Sequence, residues 1–110
     1  MLIENKTLAQ NDVATLRLIT GEEVIGKVVS VNDKEIVITR PVVIQMQMLS
    51  QSQAGLGFVP FVVSIDEGDK FLFTFDKLIC APLKTRKDVA TNYLQATSKI
   101  AIPANGGIIA

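Results

Sequence analysis

From residue 14 onward, hydrophobic and polar positions alternate with a period of two, the pattern of strands that bury one face. In Ala14-Thr15-Leu16-Arg17-Leu18-Ile19-Thr20 the residues Ala14, Leu16 and Leu18 alternate with Thr15 and Arg17, and Gly21-Glu22-Glu23 follows as a tight turn. Residues 24–31 read as a second strand. Gly26 inside it has no side chain to pack, which predicts a bulge or sharp bend where two backbones approach closely. Asn32-Asp33-Lys34 supplies the next reversal, since Asn and Asp favour turns. A third strand starts at Glu35 and meets Pro41 at an edge or kink. It then continues with Val42, Ile44, Met46 and Met48 alternating with Val43, Gln45 and Gln47.

Beyond it, residues 50–57 are polar and glycine-containing and read as a loop. Residues 58–65 return as a strand interrupted by Pro60, and Asp66-Glu67-Gly68-Asp69 is a turn. In residues 70–75, Phe71, Phe73 and Phe75 share one face and read as core rather than as a base-stacking platform. Asp76-Lys77 is a two-residue reversal into a last strand over 78–83, which stops near Pro82. The period then changes. Thr85 and Asp88 have the spacing of a capping box, and Val89, Tyr93, Ala96 and Ile100 recur at helical intervals, which predicts a helix over 86–98. The tail 101–110, with Pro103 and Gly106-Gly107, reads as irregular, its isoleucines able to dock on a neighbouring surface.

Composition narrows the chemistry. The chain has 110 residues, 48% hydrophobic and 20% charged, the size and balance of one globular domain. It contains no histidine, no tryptophan and one cysteine, Cys80, so imidazole triads, histidine-ligated metals and disulfide scaffolds are excluded. No cofactor is expected and no enzymatic activity. The turn carboxylates Glu22, Glu23, Asp66, Glu67 and Asp69 are turn residues first. Cys80, within Leu78-Ile79-Cys80-Ala81, reads as a small buried core residue of a reducing, cytoplasmic compartment. No signal peptide is visible at the start and no apolar stretch approaches the ~20 residues of a membrane span, so no membrane partner is expected.

Net charge is zero, but its distribution is uneven: residues 1–69 carry five basic against nine acidic side chains, and residues 70–110 carry six against two. Such asymmetry fits a basic patch for an anionic partner, or two halves that attract each other within or between subunits.

Short antiparallel strands followed by one helix predict a small barrel, because such strands must close or bend to bury one face and hide their edges. The stretch from Leu18 to Ile38, with Gly21, Gly26, Val28, Val31 and Ile36-Val37-Ile38 at matching places, resembles the first motif of the Sm and Sm-like family. Phe73-Thr74-Phe75-Asp76-Lys77-Leu78-Ile79-Cys80 resembles its second. The resemblance covers residues 14–83; the pairing with a C-terminal helix is similar to that of small proteins of this type encoded by tailed phages. It implies a mainly β fold: a strongly bent five-stranded antiparallel Sm-like (SH3-like) barrel over 14–83. An N-terminal segment 1–13 would precede it, and a helix over 84–100 and the tail would follow. It also implies a homo-oligomeric ring closed by pairing of the edge strands 70–75 and 78–83, and RNA bound near its pore, in the cytoplasm of a bacterial or phage-infected cell.

The departures shape the expected site. Family members that read uridine carry an Asp and an Asn in the loop between the second and third strands. Here those places fall on Asn32 and Ile36, and only Lys77 keeps the basic residue of the last reversal. The candidate nucleic-acid contacts are therefore Lys77, Asn32 and the helix-start cluster Lys84, Arg86 and Lys87. They would hold RNA or single-stranded DNA by backbone phosphates rather than base edges. The competing expectation is a ring-forming structural or protein-interaction module without nucleic-acid binding.

Overall fold

The computed structural model describes residues 8–48, 50–66 and 68–101. Segment 1–7 and most of the predicted tail, 102–110, lie outside the described residues, as does Glu67 of the Asp-rich turn. Strand β1 (Val13–Arg17) pairs antiparallel with β2 (Glu23–Val31), from Val13 opposite Lys27 to Arg17 opposite Glu23. The turn between them needs Gly21, whose φ of 109° is a left-handed value that side chains rarely adopt.

Strand β3 (Glu35–Met48) runs back along β2 in a register broken twice. Ile25 faces Val42 and Lys27 faces Thr39, so Arg40 and Pro41 together oppose Gly26: a bulge, with Arg40 at φ 51°. The second break places Val29 as an extra residue on β2 between Val28 and Ser30. The bend expected at Gly26 is present. An added Cβ there would lie 2.5 Å from Ile38 Cδ1 and 2.9 Å from Ile38 Cβ, so only glycine fits.

The bulge divides β3 into two functional lengths. Its first part pairs with β5 (Lys70–Thr74), from Glu35 opposite Thr74 to Thr39 opposite Lys70. Its second part pairs with β4 (Ala54–Pro60), from Val42 opposite Pro60 to Met48 opposite Ala54. β4 and β5 thus share one edge of β3, end to end, with the unpaired Arg40 and Pro41 at the break between them. Pro41 lacks an N–H where no ladder bond is required, and Pro60 sits on an edge strand, the position proline tolerates.

The bulge also reverses the faces. Ile36 and Ile38 are fully buried in an inner cluster with Ala14, Leu16, Leu18, Val24, Val28 and Leu78, and Phe61, Phe71, Phe73 and Phe75 pack against it. Val42, an even number of residues further on, belongs instead to a second cluster on the opposite face with Val13, Ile25 and Tyr93. In a regular strand all three would share a face; one extra residue changes the phase. Helix α1 (Lys87–Ala101) covers this second cluster through Val89, Ala90 and the buried Tyr93. The Tyr93 hydroxyl donates to the Arg40 carbonyl at 2.7 Å, satisfying a group that the bulge leaves without a ladder partner. Burial pushes the Tyr93 phenol up to about 12.

Several expectations need correction. The sheet has six strands in the order β4-β3-β2-β1-β6, β6 being Leu83–Lys84, with β5 on β3, and is not closed into a five-stranded barrel. The predicted loop 50–57 is shorter, because residues 54–57 pair with 45–48 and the strand ends at Pro60 rather than Ile65. Asp76-Lys77 is not a two-residue reversal: Phe75–Lys77 form a 3₁₀ turn. The predicted strand 78–83 reduces to a single bridge, Leu18 to Leu78, and to the two-residue β6 (Leu83–Lys84), which lies beside Thr15 and Ala14. The physical reason is shared. The 3₁₀ turn consumes the residues a continuous hairpin would have paired, so no ladder joins β5 to β6. Instead the turn bridges the gap, Phe75 N donating to Lys34 O at 2.9 Å while Ile19 N donates to Lys77 O at 3.0 Å. The helix starts one residue later than predicted and runs to Ala101.

No helix among the described residues is long and apolar enough to cross a membrane.

Candidate functional site

Asn32 and Lys77 are connected through Lys34. The Asn32 side-chain oxygen accepts from Lys34 N at 2.8 Å and Glu35 N at 2.9 Å, closing the turn between β2 and β3. Lys34, two residues on, is the residue whose carbonyl anchors the 3₁₀ turn ending at Lys77. Lys34 thus joins the turn held by Asn32 to the 3₁₀ turn that carries Lys77. The Asn32 carbonyl is already committed to its turn, however, and only its amide N–H₂ remains to meet a ligand.

Lys84, Arg86 and Lys87 lie at the other end of β1. Lys84 is opposite Ala14, Thr85 N donates to Val13 O at 3.0 Å, and the Thr85 and Thr15 hydroxyls are 2.8 Å apart. The Ile19 backbone, bound to Lys77, lies beyond the far end of the same strand. At ~3.3 Å per residue the two basic groups are separated by roughly 17 Å along β1. The five candidate residues form two surfaces, not one.

Within the second surface the charges are not equivalent. Arg86 holds Asp88 with two bonds, Nε to Oδ1 at 2.6 Å and Nη2 to Oδ2 at 3.1 Å. Those bonds hold the Asp88 carboxyl below the usual carboxylate range and raise Arg86 above its ordinary value. Asp88 Oδ1 also accepts from Val89 N at 2.9 Å, placing a negative group in the first helical turn. This replaces the predicted capping box: Thr85 is tied to β1, and the Arg86 carbonyl accepts the first helical bond, from Ala90 N. The patch expected from three cations presents two without an ion-pair partner among the described residues, the exposed Lys84 and Lys87.

Cys80 is exposed with a free thiol, not buried as its apolar neighbours suggested, because it falls in the bend between Ile79, whose N–H still donates to Arg17 O at 2.9 Å, and β6. Two of the turn carboxylates, Glu22 and Glu23, have local partners. Glu22 accepts from the Thr20 hydroxyl, which holds it below its ordinary range, and Glu23 faces Arg17 across β1 and β2 at 4.0 Å. Among the described residues no three carboxylate or thiol groups gather into a metal-holding cluster.

The surface that sequence reading missed is apolar. Leu72 on β5 and Leu83 on β6 are 55% and 56% exposed, each on a strand with one edge unpaired among the described residues, and Ile79, whose N–H donates to Arg17 O, is 63% exposed. Met46 and Met48, on the part of β3 that runs beyond its pairing with β2, are each 70% exposed. A signal for part of this was available: residues 41–65 contain no charged side chain, although 20% of the chain is charged. Uncharged edge strands are the kind that natural sheets usually protect or pair.

No family model matches the chain, and no curated protein matches it. What the geometry defines is a small mainly β module with an open sheet, two separate lysine-bearing surfaces and apolar edges.

Proposed function

We propose that the chain is a non-catalytic Sm-like module whose working form is a homo-oligomer built by pairing of its open sheet edges. The observation that carries this reading is the coincidence of bare backbone and apolar side chains at both ends of the sheet. On one side stands β5 with Leu72; on the other stands β6 with Leu83, the exposed Ile79 side chain lying on the segment that leads to it. Pairing one edge of a copy with the other edge of the next satisfies the free amides and removes these side chains from water; if the rotation closes, the result is a ring. The Gly26 bend, the turn at Gly21 and the pairing of β1 with both β2 and the last strand support the Sm-like reading. The exposed free thiol of Cys80 fits a reducing, cytoplasmic compartment. Sedimentation at micromolar concentration tests assembly: a closed oligomer is expected, weakened by Leu72→Lys or Leu83→Lys, and a monomeric wild-type chain overturns the reading.

A second reading, nucleic acid held by backbone phosphates, rests on the exposed Lys77, Lys84 and Lys87, which have no ion-pair partner among the described residues. With Arg86 engaged by Asp88, replacing Lys84, Arg86 and Lys87 by Gln removes about two phosphate contacts. The salt slope on single-stranded RNA or DNA then flattens by roughly 1.4, at ~0.7 per contact. Uridine-rich and adenine-rich strands are expected to bind alike, since the Asn32 oxygen is used within its own turn. Filter binding at two salt concentrations decides it: no binding at low salt eliminates this second reading and leaves assembly alone.

A further inference from the structure

Beside the bulge, where β4 ends and the chain turns away from the sheet, a groove of about 220 Å³ is lined by Pro41, Val42, Pro60, Val62, Val63 and Ile65 together with Thr97 of α1. Its polar rim is Arg40 and Asp66. Three of its walls are aliphatic side chains in a non-strand segment, Val62, Val63 and Ile65, which are 37%, 81% and 41% exposed. Thr97 brings no polar demand, since its hydroxyl donates to the Tyr93 carbonyl at 3.0 Å. A dry cavity of about 150 Å³ already holds a benzene-sized group, so this groove has room for one or two branched aliphatic side chains.

We propose that the groove is the docking site of the chain's own segment 102–110. Helix α1 ends at Ala101, only four residues, or ~6 Å, beyond the groove-lining Thr97. The segment Ile102-Pro103-Ala104-Asn105-Gly106-Gly107-Ile108-Ile109-Ala110 carries no charged side chain and has three isoleucines. Pro103 opposes continuation of the helix, and Gly106-Gly107 allows the chain to reverse. Nine residues can span up to ~30 Å, several times the distance back to the groove. The segment therefore has the reach, the apolar side chains and the missing charge that the groove asks for. Ile108 and Ile109 are the side chains assigned to it. The inference stands independently of the assembly reading.

The test uses the full chain with Cys80→Ser, so that a single introduced thiol reports. Val63→Cys is labelled with a maleimide in that background, with the native tail and with Ile108→Asp/Ile109→Asp. Labelling is expected to be at least about tenfold slower with the native tail, the protection of a site that must open before it reacts. Met46→Cys, remote in sequence and exposed, should label at one rate in both backgrounds. Equal rates at Val63→Cys overturn the proposal, as does an acceleration shared by Met46→Cys, which would report general unfolding. Protection that disappears on dilution assigns the groove to a second copy and overturns it equally.

Discussion

The two lengths of strand β3 are continuous in sequence and similar in composition of apolar residues, yet they live in different environments. From Glu35 to Thr39 the strand lies between β2 and β5, and Ile36 and Ile38 are fully buried under the phenylalanines. From Val42 to Met48 it loses β2 after Val43, keeps only β4, and ends with Met46 and Met48 mostly in water. The difference is made by the two-for-one bulge at Arg40 and Pro41, which exchanges the faces and moves the second length from the inner cluster to the helix. Alternation of hydrophobic residues thus reports that a strand exists; which face is buried depends on the bulge count between them.

The sharpest way to break this comparison is to truncate one residue from each length. Ile38→Ala should cost about 2–5 kcal/mol of unfolding free energy, since a fully enclosed aliphatic chain leaves a cavity. If denaturant melts show a loss no greater than for Met46→Ala, the division of β3 is wrong. Gly26→Val should cost about 1–3 kcal/mol, because its Cβ has to displace Ile38 at the bulge. An unchanged denaturant midpoint would mean that the backbones do not approach as described. Tyr93→Phe should cost about 1 kcal/mol by leaving the Arg40 carbonyl without its donor.

The same variant carries a pH signature. The folded phenol titrates at about 12 and the unfolded one near 10, so the wild-type contribution is complete below pH 10 and is lost as pH rises to about 12. The slope approaches 1.4 kcal/mol per pH unit. Subtracting Tyr93→Phe melts from wild-type melts across that window isolates it; parallel curves would show that the phenol is not held neutral beneath the helix. The smallest effect belongs to the projecting length: Met46→Ala should stay within about 0.5 kcal/mol by the same melts.

Much of the architecture was legible in the sequence. The turn at Gly21, the bend at Gly26, strands β2 and β3 and the helix all follow from local signals: a residue without Cβ, β-branched runs, a change of period. The core role of Phe71, Phe73 and Phe75 was legible for the same reason, as period-two aromatics beside a buried strand. The site was less so. Asn32 and Arg86 looked like free chemistry in a linear reading, yet each is satisfied by a neighbour two or three residues away, backbone N–H groups in one case and Asp88 in the other. Cys80 failed in the opposite sense: apolar neighbours in sequence do not bury a residue where the chain has left the sheet.

By itself the sequence determined most of the element types, the 3₁₀ turn at Phe75–Lys77 and the strand pairing of residues 54–57 excepted, and the missing chemistry. Both depend on residue identity and short spacing: no imidazole, one thiol, alternation until Thr74 and helical recurrence after Thr85. Only the tertiary structure decided that the sheet stays open, that the lysines divide between two ends of β1, and that the apolar residues left over gather at bare edges. Those outcomes rest on pairings between residues up to about 70 positions apart, such as Thr15 with Leu83. They also rest on one extra residue at Arg40 and Pro41, whose effect on every later side chain is a change of face that no local pattern records.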